Sequence, residues 1–181
     1  MVAKRMLDFG TPRRVRRRQA PVVLYRSIRP EIKYKQFNLT YSTVASTTQF
    51  LSSIGQGSGV DERIGAKVKI YKVEYILAQT SGDPIRVDIS INNVADATPA
   101  HTFSQAANRT TQTMLSTKFL HSGANLNSRG GMVVVKMPYP VMSKYTGSGS
   151  DTVSSGQVIA HITTPTTTTI TGYFRVYYTD V

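Results

Sequence analysis

The side chains in this chain best equipped for chemistry are arginines. Arg13-Arg14-Val15-Arg16-Arg17-Arg18 is the densest run, and Lys4, Arg5, Arg26 and Arg29 extend it. The first 30 residues thus hold nine of the 22 Lys and Arg residues against a single acid, Asp8. A solvated charged face would intersperse Glu and Asp to limit self-repulsion, yet residues 9–30 contain neither. Such a polycation binds by displacing counterions from phosphates, with an affinity that is steep in salt and nearly indifferent to sequence. All nine basic residues are therefore nucleic-acid-binding candidates, and the same run suits nuclear targeting.

No comparable constellation points to catalysis. His101, His121 and His161 stand 20 and 40 residues apart, without metal-ligand spacing, and read as ordinary hydrogen-bonded histidines. Asp61-Glu62 is the only adjacent carboxylate pair; it supplies too few of the roughly six to eight oxygens that calcium takes and reads as a solvated loop. Gly55-x-Gly57-x-Gly59 has the composition of a phosphate loop but leads into a strand instead of a helix N-terminus, so it reads as a flexible connection. No serine lies in a nucleophile elbow. With no cysteine, disulfides and zinc-thiolate sites are excluded. The expectation is a protein that is not an enzyme and carries no cofactor or metal.

Residues 31–181 carry 13 basic and nine acidic side chains, so the polycation precedes a nearly neutral body. That body has the size of one domain. The arm, residues 1–30, is too polar to bury a core and reads as disordered or extended chain, with Pro12, Pro21 and Pro30 opposing helix. It has no apolar stretch long enough for a secretory signal, and no window approaches the ~20 apolar residues of a membrane span. The expectation is a soluble, non-secreted protein, in which the sequons at Asn38 and Asn108 are chance matches.

Period-two alternation dominates the body. Phe37, Leu39 and Tyr41 share one face of a strand over 33–43, and 47–54 continues it. The segment 64–77 changes phase midway, from Ala66, Val68 and Ile70 to Val73, Tyr75 and Leu77, which requires a bulge near Tyr71 and Lys72. Ile85, Val87, Ile89 and Ile91 define a short strand. Residues 92–127 are irregular, with short helical turns around 104–108. Met132 to Met137 is an apolar run apart from Lys136, and Pro138 and Pro140 place the segment after it at a sheet edge. Residues 147–156 read as a flexible loop. Val158, Ala160 and Ile162 mark one strand, and alternation over 169–179 marks the last. Eight or nine strands without a strong helix imply an all-β antiparallel sandwich, barrel or jelly roll, and the long irregular insertion favours the jelly roll.

Several body residues are ambiguous between binding and framework. Lys33 with Lys35, and Lys67 with Lys69, share strand faces and either extend a basic inner surface beneath the arm or are polar positions of half-exposed strands. Tyr173 and Tyr177 either stack bases or pack across strands.

The Gly/Gln loop followed by Asp61-Glu62-Arg63-Ile64-Gly65-x-Lys67-Val68 resembles the capsid proteins of very small icosahedral viruses. The similarity is to those of circular Rep-encoding single-stranded DNA viruses, and also to the satellite tobacco necrosis virus type. Their pattern Q-G-x(n)-R-x-G-x-x-V is matched by Gln56, Gly57, Arg63, Gly65 and Val68. The resemblance implies a single eight-stranded jelly roll over 31–181 that assembles into a shell of ~60 copies. It also implies that the arm packages a viral genome, single-stranded DNA ahead of RNA. The implied locations are the virion and, during assembly, the host nucleus, reached through a nuclear import receptor, with no membrane partner. The alternative from the residues alone is an OB-like single-stranded nucleic-acid-binding module with a basic tail.

Overall fold

The computed structural model describes residues 30–59, 61–93, 99, 101–106, 110–121, 132–149 and 153–181. Seven strands fill most of them: β1 (Lys33–Phe50), β2 (Lys67–Gln79), β3 (Pro84–Asn92), β4 (Gln112–His121), β5 (Val133–Tyr145), β6 (Val153–Ser155) and β7 (Gln157–Asp180). They form an antiparallel all-β sheet in the order β4-β3-β7-β2-β5-β6, with β1 also paired to β7.

β7 organises the molecule because its 24 residues change partner midway. Residues 157–163 pair with β3, and residues 170–180 pair with β2. β1 follows β7 around this change, with register shifts at Tyr41/Val44 and Val44/Ser46. Thr43 takes a positive φ of 54° there, the local left-handed turn that lets β1 bend. The Thr164 hydroxyl fastens the two corners together, donating to Thr166 O at 2.7 Å and lying 3.4 Å from Ala45 O. Two half-sheets result, one built on β1, β7, β2, β5 and β6, the other on β1, β7, β3 and β4.

One apolar core joins them. Val73, Tyr75, Phe174 and Val176 from the first half pack in the same buried cluster as Val87, Ile89, Ala160 and Ile162 from the second. Tyr75 and Phe174 are direct register partners whose rings sit 5.1 Å apart. Gly172, between Leu39 on β1 and Leu77 on β2, has φ +146°, and a Cβ there would collide with the Ile76 carbonyl.

Most expected strands are present, and the phase change in β2 is a register shift between Ile70 and Lys72 against both neighbours. Pro138 and Pro140 lie in the stretch of β5 that bulges past this point, where neither is asked to donate to β2. Three local expectations differ from the structure. Among the described residues the strands number seven, with 33–50 and 157–180 each running on through a corner where two strands were expected. The irregular 92–127 stretch contains β4, whose alternation is obscured by a register shift opposite Ile89/Ser90 and by its position as an edge strand. The 147–156 loop contains the short strand β6, paired to Lys144 and Tyr145.

Candidate nucleic-acid interface

The nine arm residues, Lys4, Arg5, Arg13, Arg14, Arg16, Arg17, Arg18, Arg26 and Arg29, lie outside the described residues, as does Asn108. The chain enters the described body at Pro30. Here the sequence expectations for Lys33 and Lys35 meet a specific environment. The two do share a face of β1, but it is the core-side face. Lys33 is 9% exposed, pairs with Asp180 at 2.9 Å and donates to Glu62 O at 3.0 Å. Lys35 pairs with Asp61 at 2.6 Å, and this contact holds the Asp61 carboxyl below its ordinary pKa. Both charges are occupied in holding the 55–65 loop onto the start of β1.

The loop read from sequence as a flexible connection carries hydrogen bonds within itself and to the 146–149 loop. Gly57 N donates to Arg63 O, Gly59 N to the Glu62 carboxylate at 2.8 Å, and Gln56 N to Ser148 O. These are the N–H groups a phosphate cradle would need. Arg63 is fully buried. Its Nε donates to Ile54 O at 3.0 Å, Nη1 to Gly65 O, and Nη2 to the carbonyls of Gly147 and Gly149, while the guanidinium lies 3.9 Å from the Tyr145 ring centroid. Gln56 Nε2 donates to Ile64 O, a Cβ at Gly57 would strike the Glu62 carboxylate, and Val68 is in the core. The matched motif thus builds a junction between the 55–65 and 146–149 loops.

The solvent face of the first half-sheet has the opposite character. Register places Tyr34, Gln36 and Asn38 of β1 beside Tyr177, Arg175 and Tyr173 of β7, and these beside Lys72, Glu74 and Ile76 of β2. On β5 the same face carries Val134 and Lys136, then Met142 and Lys144 beyond the bulge. Lys72 stands directly opposite Lys136, and Lys67 directly opposite Lys144. Lys67 is exposed and Lys69 half-exposed on this face, and among the described residues neither has a charged partner.

Cations and aromatic rings interleave across it. Lys72 Nζ sits 3.8 Å from the Tyr177 centroid, and the Arg175 guanidinium lies 5.2 Å from the Tyr34 ring and 5.5 Å from the Tyr173 ring. Glu74 is the single described carboxylate of the face. It accepts from Lys72 Nζ at 2.8 Å and from the Tyr177 hydroxyl at 2.7 Å, and these bonds hold its pKa below the usual range. Between β2 and β5 the face sinks into a groove of about 510 Å³ lined by Tyr71, Lys72, Lys136, Met137, Tyr177 and Ile32. Ile32 belongs to the stretch by which the chain enters β1, so the rim of the groove is the root of the arm.

Cationic heads for phosphates and rings for bases are the two parts of a sequence-tolerant single-strand platform. Sequence reasoning identified Lys67, Lys69, Tyr173 and Tyr177 for this face but missed Tyr34, Lys72, Lys136, Lys144 and Arg175. Their strands were legible; their alignment was set by the bulge. The histidines divide. His121 is exposed, whereas His101 and His161, isolated in sequence, are buried with ring centroids 4.4 Å apart. Among the described residues no group of three or more His, Cys, Asp or Glu is placed to hold a metal ion, and no helix is long and apolar enough to cross a membrane.

No family model and no curated protein matches the chain. Among solved structures it is similar to that of infectious bursal disease virus Gx strain, at 15% identity over 83% of this chain and 32% of that one, with a TM-score of 0.27. It is also similar to the infectious bursal disease virus VP2 subviral particle, at 17% identity over 83% of this chain and 33% of that one, with a TM-score of 0.27. The chain spans about a third of the length of these structures.

Proposed function

We propose that this chain is the capsid subunit of a small icosahedral virus, a shell domain of jelly-roll type whose arginine-rich arm packages a single-stranded genome, DNA ahead of RNA. The observation that carries the reading is the charge layout. A 30-residue arm with nine cations and one acid leads into an all-β body beside a sheet face where lysines oppose lysines. The motif residues Gln56, Gly57, Arg63, Gly65 and Val68 support it as a resemblance, and so does their role as a loop junction, since shell contacts need loops of fixed shape. About 60 copies would bring on the order of 480 arm charges to the interior, enough to neutralise a large share of a genome near one kilobase. No catalysis is assigned. The arm also serves as the address for a nuclear import receptor, so assembly takes place in the host nucleus.

Electron microscopy and light scattering of the expressed protein test this reading, with closed particles as the expected result. A stable monomer at every salt concentration, with or without nucleic acid, overturns it. Digestion of the packaged nucleic acid with DNase or RNase assigns the genome.

The cationic and aromatic face favours a second reading, a single-stranded nucleic-acid-binding module with a basic tail. It predicts that a chain lacking residues 1–30 keeps most of its affinity. The capsid reading predicts that such a chain folds, loses most of its affinity and binds with a much smaller salt slope.

A further inference from the structure

Residues 101–106 lie over the second half-sheet on the side away from the core. On β3 and β7 the core-facing side chains are Val87, Ile89, Ala160 and Ile162. The alternate positions, Arg86, Asp88 and His161, face the other way, with Asp88 and His161 direct register partners. All three are buried, and so is His101 of the covering segment. Polar contacts and one aromatic pair attach the segment to that side.

The hydrogen bonds fix one ring hydrogen of His161. His161 Nε2 lies 2.9 Å from the His101 carbonyl oxygen, which only accepts, so Nε2 carries the hydrogen. His161 Nδ1 lies 3.1 Å from the Thr48 hydroxyl, which can donate to a neutral ring or accept from a charged one; burial of the ring favours the neutral form. His101 Nε2 and Arg86 Nε both lie 2.8 Å from Asp88 Oδ2, while Arg86 Nη1 donates to the carbonyls of Phe103 and Gln105. Phe103 packs edge-on against Phe119 of β4, with centroids 5.7 Å apart. One carboxylate therefore balances Arg86, and none is left in the cluster to balance a second cation.

We propose that Arg86, Asp88, His101 and His161 form an acid-released latch: with His161 neutral, residues 101–106 are held on the β3/β7 face, and proton uptake at His161 frees them. Three elements meet the His161 ring, and β4 lies one strand beyond β3. β3 presents Arg86 and Asp88, the covering segment presents His101, β1 presents Ser46 and Thr48, and β4 places Thr117 and Phe119 opposite Asp88 and Arg86. Burial is the main influence and depresses the pKa of His161. Its bond to the His101 carbonyl opposes that, the His101 ring and Arg86 add to it, and Asp88 counters. With the segment lifted, burial of the His161 ring is relieved in part and its pKa moves back up toward the ordinary imidazole range. Because the closed-state value is lower, the open form binds more protons between the two values. Closure is therefore lost progressively as pH falls through the open-state value, and no further once the lower closed-state value is passed, the opening equilibrium rising by up to about tenfold per pH unit within that window.

Hydrogen exchange of the full chain, followed on peptides covering 101–106 between about pH 7.5 and about pH 5 and corrected for intrinsic rates, tests the latch. The expected result is a several-fold rise in opening for the native chain and no rise for His161→Gln, whose amide donates to the His101 carbonyl without titrating. An equal rise in His161→Gln, or no rise in the native chain, overturns the proposal. If His161→Gln does not fold, NMR of the native chain decides. The His161 ring titration and the loss of the Phe103–Phe119 contact must share a midpoint, and a ring that titrates with that contact intact overturns the latch.

Discussion

Lys72 of β2 and Lys136 of β5 are direct cross-strand partners on the solvent face of the sheet. Like charges so placed repel and destabilise the pair, and Lys67 opposite Lys144 repeats the arrangement. On the proposed function, a polyanion lying along the groove would remove that repulsion, and the cost in the free protein would become affinity in the complex. Lys136→Glu is expected to raise stability by roughly 0.2–1 kcal/mol without nucleic acid and to reduce the salt slope of single-stranded DNA binding by about one or more. Thermal denaturation and a salt titration of binding check the two signs together.

Tyr34 tests the other half of the platform. It is 48% exposed, tilted against Tyr177 at 6.2 Å and near the Arg175 guanidinium. Tyr34→Ala is expected to weaken binding by about 1–3 kcal/mol per stacked base while leaving the salt slope unchanged. Fluorescence anisotropy with a short single-stranded oligonucleotide at several salt concentrations separates this from the effect of Lys136→Glu.

Glu74 supplies a pH prediction. Its folded-state pKa is lowered by hydrogen bonds from Lys72 and Tyr177. Its contribution to stability is therefore present above the unfolded value of about 4.3 and is lost as pH falls through the lower folded value. Glu74→Gln is expected to lack that part of the acid transition, seen as a shallower fall of the denaturation midpoint below about pH 4.3. It is also expected to bind single strands more tightly at neutral pH, because the one described negative charge on the face is gone.

Arg63 is a stability position, despite being a buried arginine in a protein proposed to bind nucleic acid. Arg63→Met removes the donors to four carbonyls, those of Ile54, Gly65, Gly147 and Gly149. With about 1–3 kcal/mol at stake at the buried Ile54 carbonyl and the cross-loop bonds lost besides, a loss of roughly 2 kcal/mol or more is expected by chemical denaturation. The arm's salt-dependent binding should persist wherever the variant folds.

Gly172→Ala probes the centre of the sheet. The backbone has φ +146° and the added Cβ meets the Ile76 carbonyl, so β7 must shift against β2. A loss of about 1–3 kcal/mol is expected, whereas Gly55→Ala, with open space around the position, should be near neutral by the same measurement.

Much of the fold was legible because the strands are written in period two. The single frame change in β2 was readable as a bulge, since alternation cannot change face without an extra residue. β4 was not legible: as an edge strand it has polar and apolar residues interrupted by a register shift, so its pattern is set by its neighbour β3. The site was legible in part for the same reason. Alternation showed that Lys67, Lys69, Tyr173 and Tyr177 point away from the core. Which residues stand beside them depends on strand order and register, which no local pattern encodes.

The polycationic arm, the absence of cysteine chemistry and the all-β body are properties of composition and local periodicity, present in the order of residues before any chain folds. Long-range pairing supplied the rest. It turned Lys33 and Lys35 from exposed charges into the clamp on the 55–65 loop, set Lys72 against Lys136, and brought His101 to His161 across 60 residues of chain. Hydrogen-bonded strands place partners according to register and chain reversal, so the charge a residue meets is chosen by residues far from it in sequence.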